Sequence, residues 1–296
     1  MLWRDGRRSG NVEDRRGFGG GGMRMGGGIG GIGLLVVIVG AIFFGVDPTT
    51  LLQQLESGSP DAGYQQDQQS ASMDGNGDST RTGNDEERDF VSAVLADTED
   101  TWTALFRDMG RTYVDPHLVL FAGQVQSACG FAETAMGPFY CPGDSKVYID
   151  LEFYDELKRR FEAPGDFAQA YVIAHEVGHH VQHLLGITDK VDRMTGGLSE
   201  SQTNAVSVRV ELQADCFAGV WAYQAKERKI VEPGDVEEAL NAAAAVGDDR
   251  LQRQSQGYIV PDSFTHGSSA QRARWFKTGF SRGEIGDCDT FSAKQL

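Results

Sequence analysis

Two histidines four positions apart, His175 and His179, stand in the run Ala174-His-Glu-Val-Gly-His-His180, with Glu176 directly after the first. On a helix, side chains at i and i+4 project from one face. Both imidazoles can therefore close on one divalent cation while Glu176 lies beside it, a helical pattern that marks zinc hydrolases. Catalytic zinc takes three protein ligands and leaves one position for water. The chemistry thus asks for a third ligand elsewhere in the chain.

His183 continues the stripe, but it lies about 6 Å further along the axis than His179, so one ion does not reach all three. It is read as a residue behind the ligands or on the surface. Leu185 and Gln182 stand where a metzincin carries histidine and glycine, which excludes that class. A better source of the third ligand is Val208 to Trp221, where Glu211 and Asp215 repeat the i, i+4 spacing in apolar surroundings. Two acids on one face of a buried helix need a cation. Glu211 is therefore taken as the third ligand, and Asp215 as acceptor for the free ring N–H of a ligating histidine. Glu200, in the polar entry Leu198 to Gln202, is the weaker alternative.

His175-Glu176-x-x-His179 followed by Glu211-x-x-x-Asp215 resembles the glutamate-ligated zincins. The flanking text is similar to the bacterial putative neutral zinc metallopeptidase family of single-pass membrane proteins. The matching segments are Asn11 to Gly17 (NVEDRRG), Gly137 to Pro142 (GPFYCP), Gly247 to Gln252 (GDDRLQ) and His266 to Arg272 (HGSSAQR). The likeness covers nearly the whole chain except the stretch between the apolar segment and about residue 85. It implies an α+β fold: a zincin-like metallopeptidase domain, predominantly helical with a small sheet, preceded by one transmembrane helix. It also implies one Zn2+ per chain, a polypeptide substrate, and Glu176 as general base. His266 resembles the histidine of a His-Pro-Ser-type segment in membrane-associated zincins, where it stabilises the oxyanion. It is counted as catalytic, with Gly267 in place of that proline. Tyr223 and Tyr258 are alternative oxyanion donors, and Arg272 is a candidate partner for a buried carboxylate. A non-catalytic, zinc-stabilised binding domain at the membrane, or a zinc amidase acting on a cell-wall or small-molecule amide, are the rival readings.

The chain has 296 residues, 40% hydrophobic and 24% charged, which suits one globular domain with appendages. Its net charge of -16 argues against nucleic acid as a partner. Residues 1–28 carry six arginines against three acids among many glycines, a composition read as a disordered cytoplasmic tail. Residues 29–46 are uncharged and mostly apolar, long enough for one transmembrane helix in the lipid bilayer. The arginine excess before them predicts a single-pass protein of the bacterial cell membrane, with its N-terminus cytoplasmic and its catalytic domain extracytoplasmic. No small-x-small site follows Phe43 to Val46, which disfavours a cleaved signal peptide. Residues 47–85, with seven acids against one arginine, read as a disordered acidic linker. Residues 86–296 are expected to form the zinc metallopeptidase domain that the resemblance implies.

Within that domain the periodicity from Phe90 to Phe106 predicts a helix over 86–109. Leu118 to Val125, Lys146 to Phe153 and Gly137 to Tyr140 read as strands, the last turned by Pro142-Gly-Asp144. Pro164-Gly165 followed by Asp166 and Gln169 reads as a capping box opening the motif helix. Val236 to Gln254 reads as a further helix, with Asp248, Asp249 and Arg250 as surface or helix-end charges. Four cysteines in a domain placed outside the cytoplasm predict disulfides. Their spacing favours Cys129 with Cys141 and Cys216 with Cys288 among the three possible pairings. Cysteine ligation of zinc is disfavoured, because no Cys-x-x-Cys occurs.

Overall fold

Branched aliphatic residues concentrate in two short runs, and these form the middle of a four-stranded sheet. The computed structural model describes residues 1–16, 79–133, 137–159 and 165–296. Strand β2 (His117–Phe121) pairs in parallel with β6 (Lys146–Asp150), Leu118 opposite Val147 and Leu120 opposite Ile149. Strand β1 (Val12–Asp14) adds in parallel to β2, and β5 (Phe139–Cys141) adds antiparallel to β6, giving the order β1-β2-β6-β5. Because strand side chains alternate between faces, Leu118, Leu120, Val147 and Ile149 join the main core, while Val119, Phe121 and Tyr148 join a second cluster. That second cluster takes in Val125 and Ala132 from the hairpin of β3 (Gln124–Ser127) and β4 (Gly130–Glu133). The disulfide Cys129–Cys141 ties the hairpin turn to β5.

The two predicted strands end early for one shared reason. Asp150 accepts the N–H of Gly123, where β2 breaks, and that of Glu152, where β6 gives way to helix α2 (Glu152–Arg159). The long helix in front is α1 (Ser79–Asp108), so residues 79–85 are helical rather than linker. The motif helix is α3 (Asp166–Leu184), followed by α4 (Ile187–Thr195) and α5 (Glu200–Glu227), the last opened by a Ser199/Gln202 capping box. Helix α3 has no such box. Its N-cap is Gly165, and Asp166 instead pairs with the α-amino group of Met1 at 2.8 Å. The stretch 236–254 forms two helices, α6 (Asp235–Ala245) and α7 (Asp248–Gln256), parted at the extended Gly247.

Helix α8 (Ser269–Arg282) packs against α5 at unusually short range. A methyl group at Gly279 would come to 1.9 Å of the Cys216 carbonyl oxygen, and one at Gly219 to 2.1 Å of the Phe276 carbonyl oxygen. Only glycine permits this approach. The disulfide Cys216–Cys288 then staples the segment after α8 to α5. Around this pair the core is aromatic: Trp102 meets Phe106 and Phe217 edge-on, and Phe167 stacks on Trp221. Each such buried side chain stabilises by about 1.5–3 kcal/mol. The fold is mixed α+β and mostly helical, compatible with a zincin-like domain.

The expectation of a disordered tail is corrected for residues 1–16. Met1 and Trp3 are buried in the main core, and Trp3 packs edge-on against Phe90 at 5.4 Å. The composition suggested disorder because the arm has no core of its own; it borrows the body's, pairing β1 with β2. Met1 to Arg16 belong to the same compact unit as Glu87 to Leu296. Among the described residues no helix is long and apolar enough to cross a membrane. The expected span, residues 29–46, and the linker up to residue 78 lie outside the described residues.

Candidate metal centre

Helix α3 is buried along most of its length because Phe167, Ala170, Tyr171, Ile173, Ala174 and Val177 enter the core. Its histidine stripe faces α5. The two helices touch where Gly178 lies on Ala214: a methyl at Gly178 would come to 3.0 Å of the Ala214 carbonyl oxygen. Gly178 lies between His175 and His179, and Ala214 lies between Glu211 and Asp215. The contact therefore sets how far the imidazoles stand from the carboxylates.

His175 Nε2 is 3.2 Å from Glu211 Oε2, and His179 Nε2 is 3.5 Å from Glu211 Oε1. Ligands at zinc bond lengths of about 2.0–2.2 Å in a tetrahedron stand roughly 3.4 Å apart. The two separations found, one to each oxygen of Glu211, are close to such an edge. Among the described residues, His175, His179 and Glu211 form one of two groups of three that could hold a metal ion, and the donor set of two imidazoles and a carboxylate suits zinc.

The remaining ring nitrogens are also engaged. His175 Nδ1 is 2.9 Å from Asp215 Oδ1, which fixes the proton on Nδ1 and leaves Nε2 to face Glu211. Asp215 is wholly buried; it accepts from Tyr171 Oη at 2.5 Å and takes two bonds from Arg272, Nε at 2.9 Å and Nη2 at 3.0 Å. His179 Nδ1 is 2.9 Å from Gln182 Oε1, and the Gln182 amide donates to the carbonyl of Val210 and to Gln213 Oε1. Gln213 in turn donates to the Cys288 carbonyl.

Burial works against charge on His175, but the facing carboxylates of Asp215 and Glu211 outweigh it and raise its pKa to about 10. Burial would raise the pKa of Glu211; the paired imidazoles overcome this and hold it well below the usual carboxylate range. A proton shared among these groups occupies the place a cation would take, so binding a metal here displaces it. For Glu176, burial raises the pKa against the pull of both imidazoles, as suits a carboxylate that must accept a proton.

His266 comes from the loop between α7 and α8. Asp248, the first residue of α7 and buried, collects the backbone N–H groups of Thr265, His266 and Gly267 on Oδ2 at 2.7–3.0 Å, and its Oδ1 is 3.2 Å from His266 Nδ1. The His266 side chain remains 42% exposed. Partial burial opposes its charge, while the carboxylates of Asp248 and Glu211 raise its pKa. Asp248 is thus no surface charge: it shapes the loop that carries His266. Its neighbour Asp249 accepts from the Ser269 backbone N–H and hydroxyl.

The other candidates fall away from the centre. Glu200 is exposed at the start of α5. His183 is not among the clustered donors. Tyr223 lies twelve residues beyond Glu211 on α5, about 18 Å along the axis, and packs against Gly283. Tyr258 is 62% exposed. His180 points away from the cluster, its Nδ1 at 3.0 Å from Tyr140 Oη and its Nε2 at 2.7 Å from the Val114 carbonyl. Gln182 was missed by sequence reasoning, although its i+3 position after His179 was the available signal. Asp248 had no local signal tying it to His266.

A protein from Escherichia coli strain K12, described as uncharacterized protein YpfJ, is 51% identical over 297 residues, covering 98% of this chain and 99% of its own length. Uncharacterized proteins Mb2605 of Mycobacterium bovis and Rv2575 of Mycobacterium tuberculosis are 44% identical over 227 residues, covering 73% of this chain and 75% of theirs. No solved structure matches the chain. A family described as "Putative neutral zinc metallopeptidase" matches residues 1–291, and with the geometry above this chain belongs to that family.

Proposed function

We propose that the protein is a zinc-dependent peptidase whose metal is held by His175, His179 and Glu211. The observation that carries this reading is the convergence of those three side chains, whose ligand atoms lie within 4.8 Å of one another, with the two imidazoles 3.2 and 3.5 Å from the Glu211 carboxylate. Zinc bound there would polarise a scissile carbonyl and bring a water's pKa toward neutrality. Glu176 takes the proton of the attacking water and passes it to the leaving amine. Asp215 and Gln182 hold the two ligating rings in register. His266, braced by Asp248, donates to the carbonyl oxygen as it gains charge. An extended substrate lies along the outer edge of β5, which among the described residues pairs only with β6 and stands beside α3. The two disulfides support a site of action outside the reducing cytoplasm.

The test compares Glu176→Gln and His266→Gln with the native chain on an unfolded polypeptide. Both variants retain one zinc per chain; turnover falls roughly 10²–10⁴-fold for Glu176→Gln and about 10²-fold or more for His266→Gln. Undiminished turnover in Glu176→Gln sinks the mechanism, and in His266→Gln it removes that residue's role alone.

A further inference from the structure

The arginines before the apolar stretch 29–46 are the signal that would hold the N-terminus in the cytoplasm, opposite the catalytic body. In the fold they have another use. Arg7 pairs with Glu99 and Asp100, Arg8 with Asp89, Arg15 with Glu13, and Arg16 with Asp14. Glu99, buried on α1, receives Arg7 Nη2 at 2.8 Å, Ser9 Oγ at 2.5 Å and Asn11 Nδ2 at 2.9 Å, all three donors coming from the arm. Backbone bonds continue the attachment: Ser9 N–H to the Ser92 carbonyl, Leu118 N–H to Asn11 and Arg15 N–H to Leu120, the last two flanking β1 on β2. Lys146 on β6 reaches across to Glu13 at 2.6 Å.

We infer that the arm and the metallopeptidase body lie on the same side of any membrane, so that residues 29–46 do not carry the chain across a bilayer as a single span. A hydrogen-bonded strand pair cannot be divided by roughly 30 Å of hydrocarbon. Eighteen residues make a helix of about 27 Å, enough for one passage and not for a return. Residues 47–78 cannot supply the return, because they hold Asp47, Glu56, Asp61, Asp67, Asp74 and Asp78 and no long apolar run. The chain from residue 17 to residue 78 therefore starts and ends on the same side of any membrane. The inference rests on strand pairing and does not depend on the zinc peptidase reading.

The test places one reporter cysteine on each side of residues 17–78 in the full chain, Gly10→Cys in the arm or Gly196→Cys after α4. Both glycines are exposed, and a Cβ at either meets nothing within 4 Å, so neither change disturbs the fold. Bacterial cells with the outer barrier opened are treated with a membrane-impermeant maleimide before and after lysis. The two variants are expected to label alike, both before lysis. Labelling of both only after lysis also upholds the shared side, while removing the extracytoplasmic placement argued from the disulfides. Labelling of one before lysis and the other only after it overturns the inference.

Discussion

Two clusters meet the same geometric condition among the described residues: His175, His179 and Glu211, and Asp166, Asp235 and Glu238, each with its possible ligand atoms within 4.8 Å of one another. Their chemistry separates them. The first combines two imidazoles, which ligate without adding charge, with one carboxylate, and buried partners occupy the outer nitrogens of both rings. The second is all carboxylate at the starts of α3 and α6, and the Met1 ammonium already sits in it, 2.8 Å from Asp166 and 3.4 Å from Asp235. Glu238 is turned to the Phe167 N–H. Proximity of oxygens does not make a metal centre; mixed donors with braced orientation do.

The largest expected difference is in metal content. His179→Ala should lose stoichiometric zinc, whereas Asp235→Asn should keep it, as read by elemental analysis after gel filtration; equal zinc in both variants would erase the distinction. Next comes stability. Asp215 is fully buried against Arg272, and removing one partner of a buried ion pair costs about 3–5 kcal/mol. Asp215→Asn should lower the unfolding free energy of the metal-free protein, read from urea denaturation, by that much, and a loss below 1 kcal/mol would show that the pair is not structural.

The third effect is on pH. The raised pKa of His175, about 10, means its ring carries an extra proton across the neutral range when no metal is bound. Zinc must displace that proton, and His179, whose pKa Glu211 raises against the effect of burial, adds to the demand, so affinity should rise at least about tenfold per pH unit between pH 6.5 and 8.5. Competition titrations with a chelator read this directly, and a flat profile would place the proton elsewhere. The smallest effect is at the second cluster. Asp166 is 39% exposed, and Asp166→Asn should cost at most about 1 kcal/mol, with zinc affinity unchanged. A larger loss would make the ammonium cluster a principal anchor of the arm.

The sequence exposed what lies within one helical turn. The pairs His175/His179 and Glu211/Asp215 carry their geometry in a four-residue spacing, and the structure brings both pairs together across α3 and α5. Contacts made over long sequence separations left no such trace. Asp248 reaches His266 across eighteen residues, and Glu99 gathers Arg7, Ser9 and Asn11 from more than eighty residues away. The arm's glycine and arginine content reads as disorder when taken alone, because the burial that orders Trp3 belongs to Phe90 and its neighbours. At Asp166 a local rule yielded to a distant ammonium.

At Gly178 the spacing between the imidazoles and Glu211 is set by main-chain atoms of two helices in contact, and main chain has no rotamers to choose among. The distance from the imidazoles to the carboxylate is consequently a property of how α3 and α5 stack, fixed as soon as the core closes.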